Sequence, residues 1–163
     1  MIVKGRVWIF GDDIDTDQIY PGKYLPLTDK AEMARHAMEG TERGEEFIAA
    51  ARNGDVIIAG KNFGCGSSRE HAAVAIKGIG IPVVIARSFA RIFHRNCVNT
   101  GLAILLFDEP ERLADADIIE VDTVSGRIHN ITRNQTLSCR TLSSLEREIM
   151  EAGGLLEYLK KQG

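Results

Sequence analysis

Three short, wholly apolar runs constrain this chain most: Val56-Ile57-Ile58-Ala59, the segment from Ile81 to Ala86, and Ala103-Ile104-Leu105-Leu106-Phe107. Runs of strand length without polar alternation are expected as strands buried on both faces, the condition of a parallel sheet. Parallel neighbours need crossovers, and helix-forming segments lie between the runs. One begins near Ala72-Ala73-Val74-Ala75-Ile76, and another is expected to be capped by Ser88 and to run to about Asn99, with Gly101 ending it. The layout is βαβαβ, and the fold class expected is α/β. Ahead of it, Val3 to Phe10 reads as a strand, and Asp29 to Met38 and Glu45 to Arg52 as helices. Behind it come short strands at Ile118 to Val121, Arg127 to Ile131 and Thr136 to Cys139. Two helices then close the chain, Leu145 to Ala152 capped by Ser143 or Ser144, and Leu155 to Lys160. With 163 residues, 44% of them hydrophobic, and no repeat or linker, one domain over residues 1–163 is expected.

The joint after the first run, Lys61-Asn62-Phe63-Gly64-Cys65-Gly66-Ser67-Ser68-Arg69-Glu70-His71, is glycine-rich and polar. Gly64 and Gly66 permit positive φ and close approach of a ligand. Ser67 and Glu70 stand at capping-box spacing, which predicts a helix N-terminus at Ser67 or Ser68. Helix N–H groups beside the planar fork of Arg69 make an anion site the natural inference. The same spacing also fits a plain turn, with two capping serines and Arg69 paired to a surface acid. It is not the dinucleotide fingerprint, because the third glycine is absent, and Gly66-Ser67-Ser68 does not complete the G-x-S-x-G of a nucleophile elbow. At a strand's carboxyl end, this joint occupies the usual ligand edge of an open α/β sheet.

Two further stretches carry content. Asp12-Asp13-Ile14-Asp15-Thr16-Asp17 imitates a calcium loop, but Gln18 replaces the required glycine and Tyr24 the bidentate glutamate. Its carboxylates are expected to cap turns and order the loop that follows. Tyr24-Leu25-Pro26-Leu27 is apolar without periodicity, and reads either as a loop packed on the core or as a flap facing substrate.

Composition excludes several classes. A net charge of −3, with no basic cluster interleaved with aromatics, argues against nucleic acid as a partner. No apolar run has the length of a membrane span or signal segment, so a cytoplasmic protein with no membrane partner is expected. Cys65, Cys97 and Cys139 are widely spaced, so no metal site on this chain is expected. Cys65 lies where a helix N-terminus would favour a thiolate, though no base stands beside it. Arg87, Arg91, His94 and Arg95 are expected as a solvated basic face, from which one could approach the anion.

The string Gly64 to Ala73, followed by Ala86-Arg87-Ser88-Phe89-Ala90-Arg91-Ile92-Phe93 and preceded by Gly11 to Gly22, resembles the swivelling domain of the aconitase superfamily. In particular it resembles the free-standing small subunits of isopropylmalate dehydratases and their homoaconitase-type relatives. The resemblance covers nearly the whole chain, and implies a swivelling-type β/β/α domain like the C-terminal domain of aconitase. It implies a hydro-lyase activity that isomerises 2- and 3-isopropylmalate in leucine biosynthesis, with homocitrate, citraconate or dimethylmalate as alternative substrates. A non-catalytic organic-anion module is the alternative of another class. By the same resemblance Ser67 is the catalytic base, Arg69 and Ser68 bind a carboxylate, and Tyr24, Leu25 and Leu27 meet the γ-substituent of a small di- or tricarboxylate hydroxy acid. A [4Fe-4S] cluster is implied on a large-subunit partner, in a heterodimer or heterotetramer. The loop from Tyr24 to Leu27 holds no arginine for an extra carboxylate, which favours an aliphatic substituent. His71 is expected to be structural.

Overall fold

The computed structural model describes all residues, 1–163. In chain order the elements are β1 (Ile2–Ile9), α1 (Thr16–Ile19), α2 (Lys30–Ala34), α3 (Gly44–Ala50), β2 (Val56–Ala59), α4 (Glu70–Gly78), β3 (Val83–Ala86) and α5 (Arg91–Thr100). They continue as β4 (Ala103–Leu106), β5 (Ile118–Asp122), β6 (Arg127–Asn130), β7 (Gln135–Ser138), α6 (Ser144–Glu151) and α7 (Leu155–Gln162). Short 3₁₀ turns occupy Gly22–Tyr24 and Pro110–Arg112. No helix is long and apolar enough to cross a membrane.

All seven strands form one sheet in the order β4-β3-β2-β1-β5-β6-β7. The three apolar runs are the parallel strands expected, with Ile58 beside Ile85 and Ile85 beside Leu105. β1 joins the two halves of the sheet. Its residues Ile2 to Arg6 pair antiparallel with β5, and Val7 to Ile9 pair parallel with β2. Beyond β7 the sheet curls back on itself, because Leu106 and Arg140 exchange two backbone hydrogen bonds, Leu106 N–H to Arg140 O at 3.0 Å and the reverse at 2.7 Å.

That curl explains why β2 and β3 are buried at every position. Alternate side chains point to opposite faces. Trp8, Ile57, Ala59, Val84, Ala86 and Ile104 join an outer core with residues of α4 and α5. Val7, Val56, Ile58, Val83, Ile85 and Leu105 fill the concave side against Ile119, Val121, Ile128 and Leu137. β5 and β6, covered on one face, alternate exposed or half-buried with buried residues, as single-sided strands must. The layering is the β/β/α arrangement that the resemblance implies.

The expected helix from Asp29 to Met38 is cut short at Ala34. Asp29 caps it, its carboxylate accepting the Ala31 N–H at 2.8 Å. Met38 takes a φ of +63°, and its N–H turns to Ile19 O at 2.7 Å. A tertiary bond has overridden helix propensity.

Asp55, buried at the entry to β2, ties β1 to this layer. Its carboxylate accepts the Trp8 indole N–H at 3.0 Å, the Arg52 N–H at 2.9 Å and the Arg6 N–H at 3.2 Å. Asp55→Ala leaves these donors without an acceptor, and should cost about 2–4 kcal/mol. Urea unfolding measures the loss; a midpoint unchanged from wild type would contradict this role.

Candidate active site

The joint after β2 is held from both sides. On one side, Asp13 N–H donates to Lys61 O at 2.9 Å, Gly64 N–H to Ile14 O at 2.7 Å and Thr16 N–H to Cys65 O at 2.8 Å. On the other, Phe63 N–H donates to Ser88 O at 3.1 Å and Ala90 N–H to Phe63 O at 2.9 Å. The acid-rich segment acts as expected, as a set of turn-capping carboxylates. Asp12 accepts the Lys61 N–H at 2.8 Å, Asp13 the Asn62 side-chain amide at 3.1 Å, and Asp15 forms a capping box with Gln18 at the start of α1.

Gly64 has a φ of +85°, and a Cβ there would fall inside the Phe93 side chain. Phe93 is buried and packs edge-on against Phe63, ring centroids 5.3 Å apart. The turn is seated on α5 by this absence of a side chain.

Two cap expectations are corrected. α4 starts at Glu70 with Arg69 as its extended N-cap residue, so the capping box of Ser67 and Glu70 does not form. Likewise α5 starts at Arg91 after Ala90, and the Ser88 hydroxyl instead accepts the Asn62 N–H at 2.7 Å. In both places the strand-to-helix segment is drawn outward by pairing with its neighbours.

The consequence is a ribbon of uncommitted donors. Six consecutive N–H groups, Gly66 through His71, donate to no atom of the chain, and neither do the Ser67 and Ser68 hydroxyls. Ser67 and Ser68 are both exposed, standing on the open surface at the carboxyl ends of the parallel strands. A row of unpaired N–H groups of this kind is the backbone chemistry from which anion sites are built.

Of the two readings that the sequence left open for Arg69, the ion pair is the one the structure shows. Arg69 Nη1 donates to Asp17 Oδ1 at 2.8 Å and to Tyr20 O at 3.1 Å. The same Asp17 oxygen accepts the Gly22 N–H at 2.8 Å. The hydrogen bond from Arg69 and that from Gly22 hold the Asp17 carboxyl below its ordinary pKa. The Nε and Nη2 groups of Arg69 donate to nothing within the chain, and are the bidentate edge a carboxylate needs.

The loop residues separate. Tyr24 is half-buried, stacked on His36, and Leu27 packs against the outer core, whereas Leu25, at 39%, and Pro26 are exposed. His71 stacks on Tyr20 with ring centroids 5.5 Å apart, a structural role as expected. Among the basic residues left unassigned, Arg87 pairs with Glu111 at 2.6 Å and His94 with Glu146 at 2.5 Å. Asp17, the Tyr20 carbonyl and the ring of His36 were not singled out by sequence. The regular spacing of acids in 12–17 carried a signal for the first, and nothing local pointed to the others.

The thiols do not suit a metal or cluster. Cys97 is fully buried and Cys139 half-buried, burial pushing the latter thiol up to about 12. Cys65 is raised by burial and then by Asp15 and Asp13, the reverse of the thiolate its position first implied. No three His, Cys, Asp or Glu side chains converge as metal ligands.

The aconitase C-terminal domain family model matches residues 10–110. A 3-isopropylmalate dehydratase small subunit of Hydrogenobaculum is 49% identical over 99% of this chain and 98% of its own length. The small subunit 1 of that enzyme in Methanopyrus kandleri is 48% identical, covering 99% of this chain and 95% of its own. A methanogen homoaconitase small subunit of Methanocaldococcus jannaschii is 52% identical over 99% of this chain and 94% of its own. A crystal structure named 3-isopropylmalate dehydratase, from the same organism, superposes with a TM-score of 0.94 at 52% identity, covering 99% of this chain and 95% of that one.

Gly64→Ala combines a left-handed backbone with a clash on Phe93, and should destabilise by about 2–5 kcal/mol. Thermal or urea unfolding checks it. Stability within about 0.5 kcal/mol of wild type would mean the turn is not seated as described.

Proposed function

The chain belongs to the aconitase C-terminal domain family, and from that premise we propose that it is the small subunit of a two-subunit 3-isopropylmalate dehydratase. The reaction interconverts 2- and 3-isopropylmalate by dehydration and rehydration, a step of leucine biosynthesis. The observation that carries this reading is the run of unpaired N–H groups from Gly66 to His71, with Ser67 and Ser68 exposed on it and the Nε and Nη2 of Arg69 unpaired within the chain. It lies in a chain matched end to end by small subunits of that name.

Moving a hydroxyl between adjacent carbons needs a base for a weakly acidic C–H, an electrophile for the leaving hydroxyl, and anchors for carboxylates. This chain supplies the first and the third. Ser67 Oγ takes the proton from one carbon and returns a proton to the other. A serine hydroxyl is a poor base unless its anion is stabilised, and neighbouring N–H groups with a guanidinium do this best where water is excluded. On this chain alone the ribbon is open to solvent. A partner that covers it would raise the strength of the same donors without moving them. Arg69, aligned by Asp17 and the Tyr20 carbonyl, presents Nε and Nη2 to a substrate carboxylate, and Ser68 adds a hydrogen bond.

The electrophile belongs to the large subunit, where the family's [4Fe-4S] cluster would reside, because the three cysteines here do not fit one. The active site is then an interface, and the chain by itself is inert.

For the substituent, Leu25 is the exposed leucine of the loop, while Tyr24 and Leu27 set its position. A second reading, homoaconitase, is favoured by the name of the Methanocaldococcus jannaschii relative. It needs a cation at the loop for the extra carboxylate, and Lys23, just before the loop with its Nζ 5.2 Å from the centre of the Tyr24 ring, is a group that could supply it.

The test is absorbance of the unsaturated intermediate after mixing the chain with an anaerobically reconstituted large subunit. Turnover is expected with 3-isopropylmalate and not with homoisocitrate; the reverse would give the site to the tricarboxylate. Ser67→Ala should lower kcat by about 10³-fold or more while KM moves little, and activity that persisted would refute the base assignment. Leu25→Ala should raise KM for 3-isopropylmalate about tenfold with kcat nearly constant, as the loss of one apolar contact does. An unaltered KM would remove Leu25 from the substrate pocket.

A further inference from the structure

The loop from Tyr24 to Leu27 has little backbone bonding of its own. Tyr24, Leu25 and Leu27 N–H groups make only tight-turn bonds of 3.0, 3.1 and 3.0 Å to Pro21, Gly22 and Tyr24 carbonyls. Beside the packing of Leu27, what holds it is Tyr24. The Tyr24 ring lies on the His36 imidazole with centroids 3.6 Å apart and planes 13° apart. His36 Nδ1 is 3.0 Å from Glu39 Oε1, a contact that fixes the rotation of the imidazole. The Glu39 carboxylate is also the main cause that raises the Tyr24 phenol above its ordinary pKa.

The turn carrying His36 and Glu39 is itself anchored. Met38, fully buried, donates its N–H to Ile19 O at 2.7 Å, and Gly40 donates to Gln18 O at 2.9 Å. A Cβ at Gly40 would stand 2.7 Å from Gln18 Cα and 2.8 Å from Asp17 O, so the turn sits directly on the backbone of α1. From the other side the Tyr20 hydroxyl donates to Tyr24 O at 2.6 Å, and the carbonyl of Tyr20 receives Arg69. His71, Tyr20, Tyr24, His36 and Glu39 thus form one line of contacts from the ribbon to the loop.

We propose that His36 and Glu39 are positioning residues for substrate selection, bracing the Tyr24 ring and thereby fixing where Leu25 stands relative to the Ser67 turn. The inference rests on the reading of the site as an isopropylmalate-binding half-site. Neither residue touches substrate; each acts through Tyr24.

Two measurements test it, one independent of substrate. By hydrogen exchange on the chain alone, His36→Ala and Glu39→Gln should each speed exchange at Tyr24, Leu25 and Leu27 about tenfold, with β2 and α4 unchanged. His36→Phe, which keeps a flat ring against Tyr24, should restore slow exchange. In the complex with the cluster-loaded large subunit, His36→Ala should raise KM for 3-isopropylmalate about fivefold to tenfold and leave kcat within about twofold. A merely structural role would instead lower the active fraction, depressing kcat at constant KM. Unchanged exchange in His36→Ala overturns the brace, and faster exchange with unchanged KM overturns its link to selection. A wild-type complex that ignores 3-isopropylmalate refutes the substrate reading alone: the exchange arm still decides the brace, and the KM arm is then run with the hydroxy acid that is turned over.

Discussion

The double clasp on residues 61–65 is the constraint on which the rest of the site depends. A loop leaving a buried parallel strand would ordinarily run straight into its helix. Here it is paired on one side with residues 13–16 and on the other with residues 88–90, so it continues the sheet in irregular form. The pairing uses the donors of Phe63 and Gly64 and the acceptors of Lys61, Phe63 and Cys65. It leaves the next six N–H groups, from Gly66 to His71, with no partner in the chain and α4 beginning later than capping chemistry alone would place it. A site rich in free donors follows from where the backbone bonding stops.

The curl of the sheet gives that clasp a rigid base. Because Leu106 and Arg140 join the far edges, the parallel strands are packed on both faces, against helices outside and against β5 to β7 within. Strands buried at every residue resist fraying, so the carboxyl ends of β1, β2 and β3 stand at fixed separations. Asp12, Lys61 and Ser88, just beyond those ends, inherit that spacing.

The ion pair of Arg69 engages only one of its terminal nitrogens. Asp17 is exposed and shares its oxygen with the Gly22 N–H, so it aligns Nη1 while leaving the Nε and Nη2 edge free. The carboxylate also neutralises part of the local positive charge, which favours an anion bound by directed hydrogen bonds over one held by net charge alone. Tyr20 connects this guanidinium to the loop beside it, through its carbonyl and through its ring on Tyr24, so the two candidate parts of the site share one frame.

By itself the sequence determined the class of fold and the address of the site. Apolar runs too long to alternate must be buried on both faces, and two glycines with serines and an arginine after such a run must form a polar turn at a strand's end. Those are local demands of side-chain hydration and backbone sterics, legible without a partner. The tertiary structure alone decided how the turn is used. The capping box of Ser67 and Glu70 and the cap at Ser88 were sound local readings, and both gave way because pairing between segments far apart in sequence outbid a bond three residues away. Likewise the helix through Met38 yielded to the carbonyl of Ile19, and that exchange carried His36 and Glu39 to Tyr24. Hydrophobic periodicity is written residue by residue, whereas the choice of acceptor for each N–H belongs to the folded neighbourhood, which no local stretch contains.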